Sequence, residues 1–167
     1  MEQHVFPTRG LSEKDFSERK VLVEHWALKA DYAWDTGVAI GGFLQGLKQG
    51  KLLARHCNRC RRTLIPPRMF CEECFRPTDD WVELQDTGWV KTFSLSNVRW
   101  DMVRLEHPEM PAVVVIDGAS PGMGILHMLG EVEPKAVAIG MGVQAVWKPA
   151  AEREGSITDI RYFKPIG

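Results

Sequence analysis

The chain is short of several things at once, and each shortage removes a class of function. It has no apolar run longer than a strand: AVVVI is typical of its longest stretches, so no segment reads as a membrane-spanning helix. The opening residues, MEQHVFPTRG, lack the apolar centre of a secretory signal, and a cytoplasmic location is expected. Net charge is only −1 across 167 residues, so the chain as a whole is no electrostatic attractor for nucleic acid. No Gly-x-Ser-x-Gly, P-loop or His-Glu-x-x-His pattern occurs. The five histidines (His4, His25, His56, His107 and His127) are scattered, with no nucleophile for them to serve. His127 reads as a satisfied wall residue of a strand. His56 reads as a packing or hydrogen-bonding neighbour of the cysteines.

Cysteine is scarce too, but its placement is informative. All four lie in CNRCRRTLIPPRMFCEEC, as two Cys-x-x-Cys pairs, Cys57/Cys60 and Cys71/Cys74, separated by ten residues. In a reducing compartment such pairs hold metal more often than they form disulfides. Four thiolates complete a tetrahedral zinc shell and leave no position for an activated water, so a structural zinc is expected on Cys57, Cys60, Cys71 and Cys74. A rubredoxin-type iron and a thiol redox pair are the rivals. The redox pair lacks the βαβ context it would need. Pro66 and Pro67 stiffen the returning loop, and metal binding supplies folding free energy that so small a module cannot draw from a core. Arg61 and Phe75 follow the two knuckles where glycine is usual, so a strained or differently turned backbone is expected there.

No acid interrupts the stretch from Lys48 to Arg68, which carries Lys48, Lys51, Arg55, Arg59, Arg61, Arg62 and Arg68. These cations either offset the negative tetrathiolate centre or form an anion-binding surface for phosphates. Nucleic acid is the weaker partner, because the candidate strands lack a dense alternation of aromatic and basic residues. The six tryptophans are many for this length. Core packing is their default role and interface anchoring the alternative.

The pattern divides the chain into an N-terminal helical segment (1–50), a zinc ribbon (51–82) and a β domain (83–167). Ser12 with Asp15 reads as an N-cap, followed by Phe16, Val21, Val23 and Trp26. A second helix starts near Asp35 or Thr36, with Val38, Ile40, Phe43, Leu44 and Leu47 as its apolar face and Gly50 as its stop. Gly41, Gly42 and Gly46 each weaken it by about 1 kcal/mol relative to alanine. Five strand candidates follow: GWVKTFSLSNV, PAVVVIDG, GILHMLGEV, VQAVWK and ITDIRYF. EPKAVAIGMG between the third and fourth leaves room for one helical turn and a glycine-rich loop. Five strands with that insert match a small OB-type barrel.

FLQGLKQGKLLARHCNRCRRTLIPPRMFCEEC, WVELQDTGWVKTFSLSNV, PAVVVID and IGMGVQAVWK, taken in order, resemble the zinc-ribbon/OB-fold proteins associated with acyl-CoA enzymes. The resemblance implies a mainly β protein with N-terminal helices, in which a rubredoxin-like zinc ribbon precedes a five-stranded OB-fold barrel. It also implies a small accessory subunit of a thiolase or thiolase-like enzyme, in a hetero-oligomer whose larger chain holds the catalytic residues. The best-fitting system is a degradative β-oxidation thiolase, with an aromatic succinyl-CoA thiolase as one candidate. Cys57, Cys60, Cys71 and Cys74 carry over as metal ligands. Arg59, Arg61, Arg62 and Arg68 are candidates for coenzyme A phosphates, at a site shared with the partner, or for an acidic partner surface. A free-standing nucleic-acid-binding module and an acyl-CoA carrier or sensor are the competing readings.

Overall fold

The computed structural model describes residues 12–21, 32–99 and 101–166, and divides into two units, residues 1–34 and 35–167. In the first unit, α1 (Glu13–Ser17) starts where expected. Ser12 and Asp15 form a reciprocal capping box, with Ser12 N–H donating to Asp15 Oδ2 at 2.8 Å. The Ser12 hydroxyl, which donates to the same oxygen at 2.6 Å, and then that N–H bond lower the pKa of Asp15. The helix is one turn and a fraction, shorter than the apolar spacing suggested. Val23 and Trp26 lie outside the described residues.

The second unit opens with α2 (Gly37–Gln49), entered through an Asp35 Oδ1 cap on Gly37 N–H at 2.8 Å. It ends as expected at Gly50, whose φ of +76° suits glycine. Lys51 N–H reaches Gly46 O and Gly50 N–H reaches Leu47 O, both at 2.9 Å, which is a Schellman closure. The apolar face is narrower than expected. Ala39, Phe43 and Leu47 are buried, whereas Val38 and Ile40 point to solvent. The helix glycines also have a use that propensity does not reveal. A Cβ at Gly42 would sit 2.4 Å from Trp81 Cη2, and one at Gly46 would sit 2.7 Å from Leu53 Cγ. Their bareness lets α2 lie close against the sheet beneath it, offsetting the cost in helix propensity.

That sheet is the ribbon: β1 (Leu52–Cys57) at the centre, with β2 (Arg62–Leu64) and β3 (Asp80–Leu84) antiparallel on either side. The register runs Cys57 opposite Arg62 and His56 opposite Asp80, so the first knuckle is the turn from β1 to β2. The barrel follows. β4 (Thr87–Phe93), β7 (Pro111–Ile116), β8 (Ile125–Met128), β9 (Gly142–Trp147) and β10 (Ile160–Pro165) form one antiparallel sheet in the order β10-β9-β4-β7-β8. Its end strands share one parallel bridge, Leu129 with Phe163, so closure is by contact and not by a continuous ladder. The expected helical turn is a 3-10 turn at Pro134–Ala136.

Two details differ from the sequence expectation. GWVKTFSLSNV splits, and its end forms β5 (Ser96–Val98), which pairs with β6 (Arg104–Glu109) as a separate two-stranded ribbon. ITDIRYF opens with a 3-10 turn at Ile157–Asp159 before β10 begins. There the carboxylate of Asp159, fully buried, accepts N–H bonds from Glu154, Gly155 and Ser156. Burial works to raise its pKa, but those three donors outweigh it and hold the group below its ordinary value.

One core joins ribbon and barrel. Phe43 and Leu47 of α2, Leu52 and Ala54 of β1, and Leu64 of β2 pack with Val90, Val114, Ile160 and Phe163 of the barrel strands. Thr63 exchanges bonds with Ser120 of the β7–β8 loop, N–H to Oγ at 2.8 Å and Ser120 N–H to Thr63 O at 3.0 Å. Ribbon and barrel are therefore joined through both apolar packing and the main chain.

Candidate metal centre

Strand β1 delivers Cys57 at its end, and the turn into β2 brings Cys60 round beside it. The loop then carries Cys71 and Cys74 back to meet them. Cys57 and Cys71 are buried, and Cys60 and Cys74 half-buried. All four sulfur atoms lie within 4.8 Å of one another. Cys57 Sγ stands 3.7 Å from Cys74 Sγ. Four sulfurs about 2.3 Å from a central zinc would stand about 3.8 Å apart, so this spacing fits a tetrathiolate shell. It is far beyond the ~2.05 Å of a disulfide.

The sulfurs also bias one another's protonation. The Arg76 main-chain N–H heads the interactions that bring the Cys74 thiol down to about 7. The Cys74 sulfur, followed by burial, pushes Cys60 up to about 12. A group of thiols this close does not ionise together unless a cation sits among them, and metal binding then releases the protons. The donor set is therefore suited to zinc, held by Cys57, Cys60, Cys71 and Cys74.

Both knuckles carry the expected strain. Arg61 sits at φ +55° and Phe75 at φ +56°, the left-handed region, each directly after the second cysteine of its pair. The returning loop is clasped at Thr78, which is 5% exposed. Its hydroxyl donates to Arg68 O at 2.9 Å and accepts from Arg55 Nε at 2.9 Å, and the Arg55 guanidinium also donates to the Thr78 carbonyl. Asn58 fastens the first knuckle to β3, its N–H donating to Asp79 Oδ2 at 2.7 Å and its amide to Asp80 Oδ2 at 2.9 Å. His56 behaves as expected and is no ligand: its Nδ1 is 3.0 Å from Thr63 Oγ1.

The basic residues separate into two groups. Lys51 pairs with Glu83 at 2.8 Å, and the Arg55 guanidinium lies 5.0 Å from the centre of the Trp81 ring. Arg62 is 17% exposed at its side chain. It pairs with Glu72 at 2.7 Å and Glu73 at 3.3 Å, and donates to Pro121 O at 3.2 Å. These cations serve internal contacts. Arg59, Arg61 and Arg68 are exposed, as is Arg76, which the sequence reading passed over. Arg59 and Arg76 line a hollow of about 270 Å³ beside Cys57, with Asp79 on its wall. Arg76 could have been found from its position two residues past the last cysteine. Met69, Phe70 and Phe75 are exposed on the same distal half of the ribbon. The core default holds for Trp147, which packs half-buried against the core, and not for Trp34, Trp81 and Trp89, which are exposed; Trp26 and Trp100 lie outside the described residues.

Residues 44–80 match the family described as ChsH2, rubredoxin-like zinc ribbon domain, and residues 81–148 match ChsH2, C-terminal OB-fold domain. A protein of Methanocaldococcus jannaschii described as a DUF35 domain-containing scaffold protein is 30% identical over 118 residues, 69% of this chain and 82% of that one. The chain belongs to the ChsH2-type DUF35 family. A second relative, from Thermomonospora curvata and described as a probable enoyl-CoA hydratase alpha subunit, is 28% identical over 110 residues. That match spans 65% of this chain and only 33% of the longer protein. Two solved structures share the fold. One is a DUF35-family protein of unknown function from Sulfolobus solfataricus (TM-score 0.61, 23% identity, 78% of this chain and 87% of that one). The other is Ltp2-ChsH2(DUF35) aldolase (TM-score 0.58, 22% identity, 81% and 98%). The ribbon and the barrel are therefore family features, and no helix among the described residues is long and apolar enough to cross a membrane.

Proposed function

We propose that this chain is a non-catalytic, zinc-holding subunit of a thiolase-type acyl-CoA complex, which aids assembly and helps bind coenzyme A. The observation that carries this reading is the distal half of the ribbon. A closed tetrathiolate clip, with no place for substrate on the metal, holds Arg59, Arg61, Arg68 and Arg76 in solvent beside the exposed rings of Phe70 and Phe75. Guanidinium groups recognise phosphate and carboxylate by paired hydrogen bonds, and exposed aromatics anchor interfaces. Arg62, occupied by Glu72 and Glu73, positions the first knuckle in this reading and leaves anion contact to the others. The names of relatives point the same way: a scaffold protein, an enoyl-CoA hydratase subunit and an aldolase complex.

The catalytic groups would come from the larger chain, whose coenzyme A entrance or acidic rim would face these arginines. A degradative β-oxidation thiolase remains the preferred partner, with an aromatic succinyl-CoA thiolase as one form of it, and the assembly would be a cytoplasmic hetero-oligomer. The test is co-purification with a candidate thiolase-fold partner and assay of thiolysis with and without this chain. Activity should need both chains, and Arg59→Glu with Arg76→Glu should raise the KM for coenzyme A. Full partner activity without this chain, or salt-sensitive binding of oligonucleotides by the isolated chain, would overturn the proposal.

A further inference from the structure

The barrel has a seam. Strands β8 and β10 end the five-stranded sheet, and among the described residues their main chains pair only around the Leu129–Phe163 bridge, where Gly130 N–H donates to Phe163 O at 2.9 Å. Away from that point the strands part and leave a cleft of about 540 Å³. Leu126, Met128, Ile157 and Ile160 line it, and Leu126 is 69% exposed although it lies on a strand.

The main chain along this seam is partly unpaired among the described residues. Leu129 N–H bonds to Met110 O, which fixes the alternation of the β7–β8 ladder. His127, opposite Ala112, then exchanges its bonds with β7, and the main-chain groups of Leu126 and Met128 point off the free edge. Met128 N–H is met by His127 Nδ1 at 2.9 Å. With Nδ1 accepting that N–H, Nε2–H donates to Ile157 O at 3.2 Å, and both ring nitrogens are occupied. Across the cleft, the register of β10 against β9 shifts between Ile160 and Tyr162. Arg161 is the extra residue of that bulge and has no ladder partner.

The charge at the cleft has one sign. Lys148 and Arg161 stand along it, and neither makes an ion pair within 4.0 Å among the described residues. No acidic side chain lines it. Asp159, the carboxylate whose pKa is influenced by Lys148, is buried and occupied by its three N–H donors. A partly free strand edge, an apolar floor and two cations without a direct ion-pair partner each ask for a different kind of complement. A small apolar carboxylate would answer the last two and leave the edge unpaired. An extended chain answers all three, and strand addition to an exposed edge is a recurrent mode of peptide recognition.

We propose that this cleft takes an extended segment of a protein partner, with alternating apolar and acidic side chains, added as a strand along the outer edge of β8. This inference does not rest on the acyl-CoA reading, since neither coenzyme A nor the arginines of the ribbon enter it.

The test is titration of the ¹⁵N-labelled, zinc-loaded full chain with an end-blocked octapeptide of alternating valine and glutamate. A valine–lysine octapeptide and decanoate serve as comparisons. The acidic peptide should shift the amides of Leu126, Met128 and Arg161 saturably, and the lysine peptide should not. Lys148→Glu combined with Arg161→Glu should weaken binding about tenfold or more while the rest of the spectrum reports an intact fold. Decanoate moving those amides while the peptide does not would make the cleft a small-molecule site and overturn the proposal. So would binding that survives charge reversal, or the absence of any saturable shift.

Discussion

The two halves of the ribbon–barrel unit are stabilised differently. The barrel strands close on side chains with no exposure at all: Val90, Val114, Val143, Ile160 and Phe163 are each at 0%. The distal part of the ribbon, from Pro66 to Asp79, has little such core. Its large apolar residues Met69, Phe70 and Phe75 face water, and Cys71, Pro67 and Thr78 are what it buries. One region folds by burial of hydrocarbon, worth about 25 cal/mol per Å². The other must be folded by its ligand. A region that does not spend its aromatics on a core can present them outward, which is why the exposed arginines and rings collect at the metal end.

Removing the metal should therefore produce the largest and most localised effect. Structural zinc contributes an apparent 10–16 kcal/mol or so to small zinc-folded peptides near neutral pH. With a strong chelator, amides of the first knuckle (58–61) and of the returning loop (68–79) should lose hydrogen-exchange protection, while β4, β7 and β9 keep theirs. If the barrel lost protection in step with the ribbon, the shared core through Leu47, Leu52 and Leu64 would be dominant and the contrast would fail.

The converse perturbation is Phe163→Ala. Phe163 is fully buried and contacts the His127 ring edge-on, with centroids 5.7 Å apart. Truncation should cost about 3–5 kcal/mol in denaturant unfolding. The visible charge-transfer spectrum of the cobalt-substituted protein should not change, since no thiolate has moved. An altered spectrum would mean the two regions are coupled more tightly than their cores suggest.

Asp159 supplies a smaller and pH-dependent effect on the barrel side. Its folded pKa lies below the ordinary 3.8 because three N–H donors outweigh its burial. A lowered carboxylate pKa adds stability that is fully present above the unfolded value, near pH 4, and is lost as pH falls through the folded value. Asp159→Asn should cost about 1–3 kcal/mol at pH 7 and remove that part of the acid sensitivity. Urea unfolding at pH 7 and pH 3 gives both numbers. A variant that retained the full wild-type slope would assign the acid sensitivity to other carboxylates.

The contrast also explains what the sequence revealed. The metal site was legible because its chemistry is local: two Cys-x-x-Cys turns define four ligands without reference to the rest of the fold. Gly50 and the Ser12–Asp15 box were legible for the same reason. Partnerships across long separations were not. Arg62 reads as a free cation until Glu72 and Pro121 are brought to it, and Gly42 reads as a weak helix residue until Trp81 lies over it. β6 escaped because RLEHPE is mostly exposed and carries no alternating apolar face. The seam between β8 and β10 escaped because nothing in either strand says whether its neighbour pairs along its full length.

The smallest effect carries the opposite sign, and tests whether the strain at the metal end has a purpose. Phe75 is 81% exposed at φ +56°, so Phe75→Gly removes a left-handed penalty of about 1–2 kcal/mol and loses little packing. Set against about 0.5–1 kcal/mol of extra backbone entropy in the unfolded chain, the metal-loaded variant should be slightly more stable, by up to roughly 1 kcal/mol. Residues kept in costly conformations gather where function requires them. If the ring anchors a partner, the stabilised variant should bind the proposed enzyme subunit more weakly in a pull-down titration. A destabilised variant would show that Phe75 packs against the ribbon, and unaltered partner binding would remove it from the docking surface.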